Sequence, residues 1–326
     1  MKAIVFKEYG SADVLHLEEV KIPIPKENEV LIKVHAASIN DWDWQLLQGI
    51  PFINRMFFGL FKPTKVNILG CDVAGVIEAI GKNVTYFNVG DEVFGDLCES
   101  GFGSFAEYVC ASEKAVLLKP ANMTFEQAAA IPQAGVLALS SLNQKKPNWK
   151  GQKLLINGAS GGSGTLTTQL AKIYGAEITG VCSTSKKDLL LALGVDHVID
   201  YLQEDFTKNK QRYDLIIDVK GYHSVFDYKR VLKPGGRYIM QGGASSLANQ
   251  VLTIGPLISL FTNKKISLLR LKPNENLALL VNYFNEGKIR PVIDKCFPLN
   301  ETAKAMEYYG AKKARGKVII TVVEST

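Results

Sequence analysis

The chain is poor in the residues from which disulfide and metal sites are built. Its five cysteines (Cys71, Cys98, Cys110, Cys182 and Cys296) are odd in number, scattered, and never spaced as CxxC. That pattern argues against a disulfide framework or a zinc lobe and for buried thiols in a reducing compartment. Histidine is scarcer still, at four residues, and no Cys/His cluster with ligand spacing occurs. A catalytic zinc needs thiolate, imidazole and carboxylate ligands that leave one position open. His35, alone in a strand-like run, reads as a packed or surface histidine. No apolar run approaches the roughly 18 residues that cross a bilayer, so no integral membrane segment is expected. The opening MKAIVF reads as a strand with no signal-peptide core after it, which leaves the cytoplasm as the default location. The net charge of +6 is spread along the chain. Nucleic acid would call for a clustered basic face, and none is present; a cofactor carrying several phosphates suits the balance. Internal repeats, low-complexity tracts, a Ser-His-Asp set and a paired-carboxylate set are all absent.

What is present is organised around residues 153–201, KLLINGASGGSGTLTTQLAKIYGAEITGVCSTSKKDLLLALGVDHVIDY. Leu154, Leu155 and Ile156 form a short apolar run without polar alternation, as expected of a parallel strand buried on both faces. Gly158, Gly161, Gly162 and Gly164 follow, with Ser160 and Ser163 among them. Leu166, Leu170 and Ile173 then recur at i, i+4, i+7, one face of a helix. A second apolar run covers 178–182 and a third 195–199. Strand, glycine turn, helix, strand is the unit that aims a helix N-terminus and free backbone N–H groups at a pyrophosphate. A glycine triplet by itself is weak evidence, but here it stands in the required context.

The rest of the chain supports two domains, as 326 residues suggest. From 1 to 122 the apolar segments are short, β-branched and separated by Gly, Pro or Asn, the pattern of an antiparallel barrel or sandwich. Within it, GCDVAGVIEAIGKNVTYFNVGDEVFG (70–95) carries glycines at 75, 81 and 90. Asp91 reads as turn chemistry, since an Asp side chain bonds nearby backbone N–H groups.

The 70–95 segment, the glycine turn and the closing GKVIITV (316–322) together resemble the medium-chain dehydrogenase/reductase superfamily, in its zinc-independent quinone oxidoreductase-like branch. The resemblance runs along nearly the whole chain. It implies an α/β protein with a β-rich first domain: a GroES-like β-barrel catalytic domain (1–122) to which 276–326 return, and a Rossmann doubly wound parallel-sheet domain (123–275) inserted between. It also implies NAD(P)H-dependent reduction of quinones, enones or related carbonyl compounds by a homodimer. Zinc-dependent relatives carry Cys where this chain has Asn40, and Gly-His-Glu where it has Gly70-Cys71-Asp72. Asn40 and Asp43 match the Asn and Asp of the branch's Asn-Pro-x-Asp motif, with Asp41 replacing the proline. The Asn40 amide is a candidate to bond a substrate carbonyl, and Asp43 to hold a proton-delivering water. The alternative for both is capping of the helix that follows.

Further departures mark the rest of the chain. Phe52, Met56, Phe57, Phe58, Leu60 and Phe61 crowd a short stretch. It reads as a lid on an apolar substrate pocket, as core or dimer packing, or as a surface that dips into a membrane. Leu137 stands where the family frequently places a threonine against the nicotinamide. Ser163 replaces a usual Val in the glycine turn, and Lys220 a usual apolar residue, with cofactor phosphate or solvent as its expected partner. Gly242, in the Gln241-Gly242-Gly243 run that ends a strand, is expected at the carboxyl edge where open α/β sheets bind ligands.

Cofactor choice is also legible. NAD-binding units place an acid about 20 residues past the glycines to bond the ribose 2′-OH. Here the second strand ends in Cys182-Ser183-Thr184-Ser185-Lys186-Lys187, with no acid. Hydroxyls and ammonium groups suit a 2′-phosphate, which a carboxylate would repel. NADP(H) is therefore expected, read by Ser183 and by Lys186 or Lys187, with Tyr201 matching a tyrosine that relatives place beside the adenosine. The plain reading of the lysines is a solvated first helical turn, and of Asp188 a helix-start residue.

Overall fold

The computed structural model describes residues 1–142 and 148–322. A polar connection is expected over 145–151 and a closing strand over 318–323; residues 145–147 and Val323 lie outside the described residues. The chain divides into two compact units. One comprises Met1–Val136, Lys272–Asn285 and Pro291–Thr326; the other comprises Leu137–Leu271 and Glu286–Arg290. The first unit thus runs past residue 122, and Gln133 shows why: its backbone N–H donates to Asp72 Oδ1 at 3.0 Å and its Nε2 reaches Asp96 Oδ2 at 3.4 Å.

The first unit is β-rich. In chain order it begins with β1 (Lys2–Val5), β2 (His16–Glu19) and β3 (Glu29–Ser38). After helices α1 (Asp41–Gln48) and α2 (Phe52–Phe58) come β4 (Asp72–Ile80), β5 (Glu92–Asp96), β6 (Tyr108–Ser112) and β7 (Leu117–Leu118). Gly90, at φ +94°, supplies the left-handed turn into β5, and Asp91 Oδ2 accepts the Asn88 N–H at 2.8 Å. Helices α3 (Phe125–Ala129) and α4 (Pro132–Leu142) follow, and the bound between the two units falls inside α4. Burial of Val30, Ile32, Val34, Val73, Ile77 and Val93 fills one core of this unit, each side chain contributing about 1.5–3 kcal/mol.

The second unit is a six-stranded parallel sheet. Its strands are β8 (Lys153–Asn157), β9 (Glu177–Cys182), β10 (His197–Asp200), β11 (Tyr213–Asp218), β12 (Leu232–Met240) and β13 (Lys265–Leu268). Helices α5 (Gly162–Ile173), α6 (Lys187–Ala192), α7 (Val225–Val231) and α8 (Ser245–Phe261) connect them. The spatial order is β10-β9-β8-β11-β12-β13, which reverses direction between β8 and β11. That is the doubly wound order whose ligands bind at the reversal, outside the carboxyl ends of the strands. Leu154, Leu155 and Ile156 are fully buried, as an apolar run without alternation requires. Strand β12 runs through Pro234-Gly235-Gly236, between its pairing of Leu232 with Tyr213 and of Arg237 with Leu215.

Helix α9 (Leu277–Asn285), strand β14 (Ile293–Pro298), helix α10 (Thr302–Gly310) and strand β15 (Lys317–Thr321) complete the first unit. The seven-stranded sheet runs β14-β15-β3-β4-β5-β7, with β6 also paired to β3. The strand that closes the chain therefore lies antiparallel to β3, Ile319 opposite Ser38. This brings Lys317 to the residues that lead into α1.

Candidate active site

In the second unit the glycine turn leaves β8 at the sheet reversal. Gly158 has φ +84°, a conformation that a side chain would strain. Gly164 is needed for a different reason: a Cβ there would fall 2.2 Å from the Gly158 carbonyl oxygen. The Gly161 N–H closes the turn on that same oxygen at 3.1 Å. Helix α5 then opens at Gly162, so the N–H groups of its first turn, Ser163 and Gly164 among them, lack intrahelical acceptors. Partial positive charge and bare N–H groups beside a side-chain-free turn make a cradle that fits a pyrophosphate. Ser160 is buried in the turn, and the Lys220 stem passes 3.2 Å from where a Gly158 Cβ would be.

Asp218, at the carboxyl end of β11, holds this edge together. Its Oδ1 accepts from Asn157 Nδ2 at 2.8 Å and its Oδ2 from the Tyr238 hydroxyl at 2.8 Å. Its backbone oxygen accepts the N–H groups of Gln241 (2.8 Å) and Gly242 (3.2 Å). Burial raises the Asp218 carboxyl to about 6, against the pull of those hydroxyl and amide donors. Neither Asp218 nor Asn157 was expected from sequence, and their only signal is a polar residue ending an otherwise apolar strand.

At the end of β9, Ser183 precedes a single 3-10 turn, Thr184–Lys186, and Lys187 opens α6. Ser183 Oγ lies 3.5 Å from Ser185 Oγ. Lys187 is engaged: its Nζ is 3.1 Å from Asp200 Oδ2, which also accepts from Thr184 Oγ1 at 2.5 Å. The Thr184 hydroxyl leads the interactions that hold the Asp200 carboxyl below its usual range. Tyr201 is exposed, and Asp188 falls in the first turn of α6.

One hydrogen-bond chain joins two of the sequence departures. The Ser141 hydroxyl donates to the Leu137 carbonyl at 2.9 Å. Gln241 Nε2 donates to Ser141 Oγ (2.7 Å) and to the Leu137 carbonyl (3.2 Å). Gln241 Oε1 accepts the Ser163 hydroxyl at 2.8 Å.

In the first unit, β15 delivers Lys317 into a buried polar cluster. Its Nζ lies 2.6 Å from Asn40 Oδ1, 3.3 Å from Asp72 Oδ2 and 3.3 Å from the Ile39 carbonyl. Asp72 is fully buried and also accepts Ser38 Oγ (2.8 Å) and Asn40 Nδ2 (2.9 Å). The Asn40 amide is thereby fixed; its further contact is Nδ2 to the Ser38 carbonyl at 3.4 Å. Asp43 is fully buried, its Oδ2 accepting the Asn40 N–H (2.9 Å) and its Oδ1 the Gly70 N–H (3.0 Å). Burial lifts its carboxyl to about 7 despite those two donors. Of the two expectations for Asp43, holding a proton-delivering water or capping the helix, these two contacts are those of a cap that anchors α1 against the turn at Gly70. Sequence reasoning did not single out Lys317, whose signal was a lone cation in the closing apolar strand.

Around this cluster Cys71 Sγ is 3.5 Å from Asp43 Oδ1, and burial, then the Asp43 charge, keeps its thiol well above the ordinary range. Among the described residues no group of three His, Cys, Asp or Glu is placed to hold a metal ion. His35 stacks on Phe125 with ring centroids 4.1 Å apart. The aromatic stretch divides: Phe58 packs edge-on against Phe102 at 6.0 Å, whereas Phe52, Met56, Phe57 and Phe61 are exposed.

Comparison with known proteins agrees with both halves. Residues 26–121 match the model for an alcohol dehydrogenase GroES-like domain, and 193–320 the model for a zinc-binding dehydrogenase. The chain is 36% identical to a 2-methylene-furan-3-one reductase of Solanum lycopersicum, covering 98% of this chain and 79% of that one. It is 35% identical, with the same coverage, to a chloroplastic NADPH-dependent alkenal/one oxidoreductase of Arabidopsis thaliana. The solved quinone oxidoreductase from Coxiella burnetii superposes with a TM-score of 0.88 at 32% identity over 99% of both chains. By sequence, by fold and by its glycine turn, the chain belongs to the medium-chain dehydrogenase/reductase superfamily, in its quinone oxidoreductase-like branch.

Proposed function

We propose that the protein is an NADPH-dependent reductase of quinones or α,β-unsaturated carbonyl compounds, acting without a metal ion. The observation that carries this reading is the α5 cradle at the sheet reversal, which fits a dinucleotide pyrophosphate. The named activities of relatives, quinone and alkenal/one oxidoreductases, supply the reaction class. When bound, the nicotinamide supplies the hydride; the protein binds, orients and excludes water.

A catalytic zinc does not fit the donor set of the first unit. A zinc ligand must be thiolate or neutral imidazole or carboxylate. Asn40 is an amide, not a thiolate, and the Lys317 ammonium already pairs with Asp72 and binds the Asn40 oxygen. Asn40 remains the candidate partner of the substrate carbonyl, through the amide hydrogen that makes the long 3.4 Å contact to the Ser38 carbonyl.

NADPH over NADH is supported by the absence of an acid at the end of β9 and by Ser183, Lys186 and Lys187 in its place. Lys187 also offsets Asp200, the nearest carboxylate on β10. A homodimer is supported by the exposed apolar residues Leu252, Leu257, Leu260 and Phe261 of α8 beside the sheet-edge strand β13. A single-chain mass in sedimentation would remove that part. Scattered free cysteines favour a reducing compartment such as the cytoplasm.

The deciding assay follows NADPH absorbance with a quinone, an enone and a simple aldehyde. Turnover on the first two alone is the expected result. Binding with no turnover on any would make the protein a non-catalytic NADPH binder. Changing Lys186 and Lys187 together to Ala should raise KM for NADPH and spare NADH; equal effects on both would refute the assignment.

A further inference from the structure

The Ser141–Gln241–Ser163 chain has a direction that hydrogen-bond chemistry fixes. The Leu137 carbonyl is an acceptor only, so both groups that reach it, Ser141 Oγ and Gln241 Nε2, are donors there. The Ser141 hydrogen is thereby used, and its oxygen accepts from Gln241. Gln241 therefore turns its Oε1 toward Ser163, whose hydroxyl hydrogen is spent on it. Every side-chain donor of Gln241 and Ser163 points inward. What remains unused is acceptor capacity: a lone pair on Gln241 Oε1 and those on Ser163 Oγ.

This acceptor pair lies at the ligand edge of the sheet. Ser163 is in the first turn of α5, over the pyrophosphate cradle, and Gln241 follows the carboxyl end of β12. Strand order separates the two ends of a dinucleotide bound there. The adenosine end is read at β9, on one side of β8; β11 and β12 lie on the other side. The half of the cofactor that runs over β11 and β12 is the nicotinamide half. Its carboxamide carries an –NH2 donor, the complement of what Gln241 and Ser163 leave free.

We propose that Gln241 and Ser163 accept the nicotinamide carboxamide N–H and so set how the ring seats. The inference rests on the NADPH reading above.

The test compares binding of NADP+ with that of its 3-acetylpyridine analogue, in which a methyl replaces the carboxamide nitrogen. Protein fluorescence or calorimetry reads affinity without turnover. Wild type should bind the analogue about threefold to tenfold more weakly, the range of one net hydrogen bond. Gln241→Met and Ser163→Val should lose affinity for NADP+ by a similar factor and leave the analogue unchanged, so that the preference collapses. Both variants should keep wild-type affinity for adenosine 2′,5′-bisphosphate, which reports the adenosine end and the fold. If either loses it, Ser163→Ala, a smaller change at the same place, decides. Wild type indifferent to the analogue, or variants that keep its preference, would overturn the proposal while the NADPH reading stands. Failure of wild type to bind NADP+ at all would overturn both.

Discussion

Lys317 offers the sharpest single perturbation of the first unit. Its side chain is 4% exposed and faces Asp72, which is 0% exposed, across 3.3 Å. Lys317→Met keeps much of the aliphatic volume and removes the charge together with its N–H donors. It leaves a carboxylate in the interior with Ser38, Asn40 and the Gln133 N–H as its remaining partners, and it takes the ammonium from Asn40 Oδ1. Breaking one side of a buried pair costs about 3–5 kcal/mol, because the charge left behind is uncompensated. With a urea dependence of about 2 kcal/mol per molar, the unfolding midpoint should fall by about 2 M. The emission of Trp42 and Trp44, both in α1, reports this unit when read in a Trp149→Phe background. Asp72→Asn combined with Lys317→Met should regain at least half of the loss, since the stranded charge goes with its partner. A midpoint displaced by less than about 0.3 M in the single variant would refute the claim that this ammonium neutralises the cluster.

Stability should fall as pH rises from about 4 to 7. Burial raises Asp43 to about 7, and Asp96 and Asp218 to about 6, above an ordinary value of 3.8. In that window the folded state holds protons that the unfolded state releases, so the contribution is complete below 3.8 and gone above 7. Urea midpoints that rise steadily over the window would contradict these assignments. Phe57 and Phe58 should separate: Phe58→Ala, which empties the contact with Phe102, should cost about 2 kcal/mol, and exposed Phe57→Ala under about 0.5 kcal/mol. Equal losses in thermal unfolding would mean that the stretch packs differently. If the stretch lids an apolar pocket, Phe57→Ala should instead raise KM for long apolar substrates, and unchanged kinetics would exclude that role.

The parallel-sheet half was legible because its signals are local. A buried parallel strand needs an apolar run, a close turn needs glycine, and a helix needs a 3.6-residue stripe; residues 153–173 contain all three in order. The missing acid after β9 is likewise a statement about consecutive residues.

What the sequence alone did not determine is who meets whom across large separations. Lys317 and Asn40 are 277 residues apart, and only the antiparallel pairing of β15 with β3 puts the ammonium against the amide. For Asp43 the sequence left water-holding and capping open, and it did not show that the Gly70 N–H reaches its second oxygen. The parallel pairing of β10 with β9 likewise sets Asp200 beside Lys187. Leu137, Ser163 and Gln241 were three unrelated oddities in the chain. Local sequence determines which elements form, because propensity and periodicity act over a few residues. The polar contacts of the site are decided by tertiary structure, because a buried donor or acceptor takes whatever partner the sheet order brings within 3 Å or so.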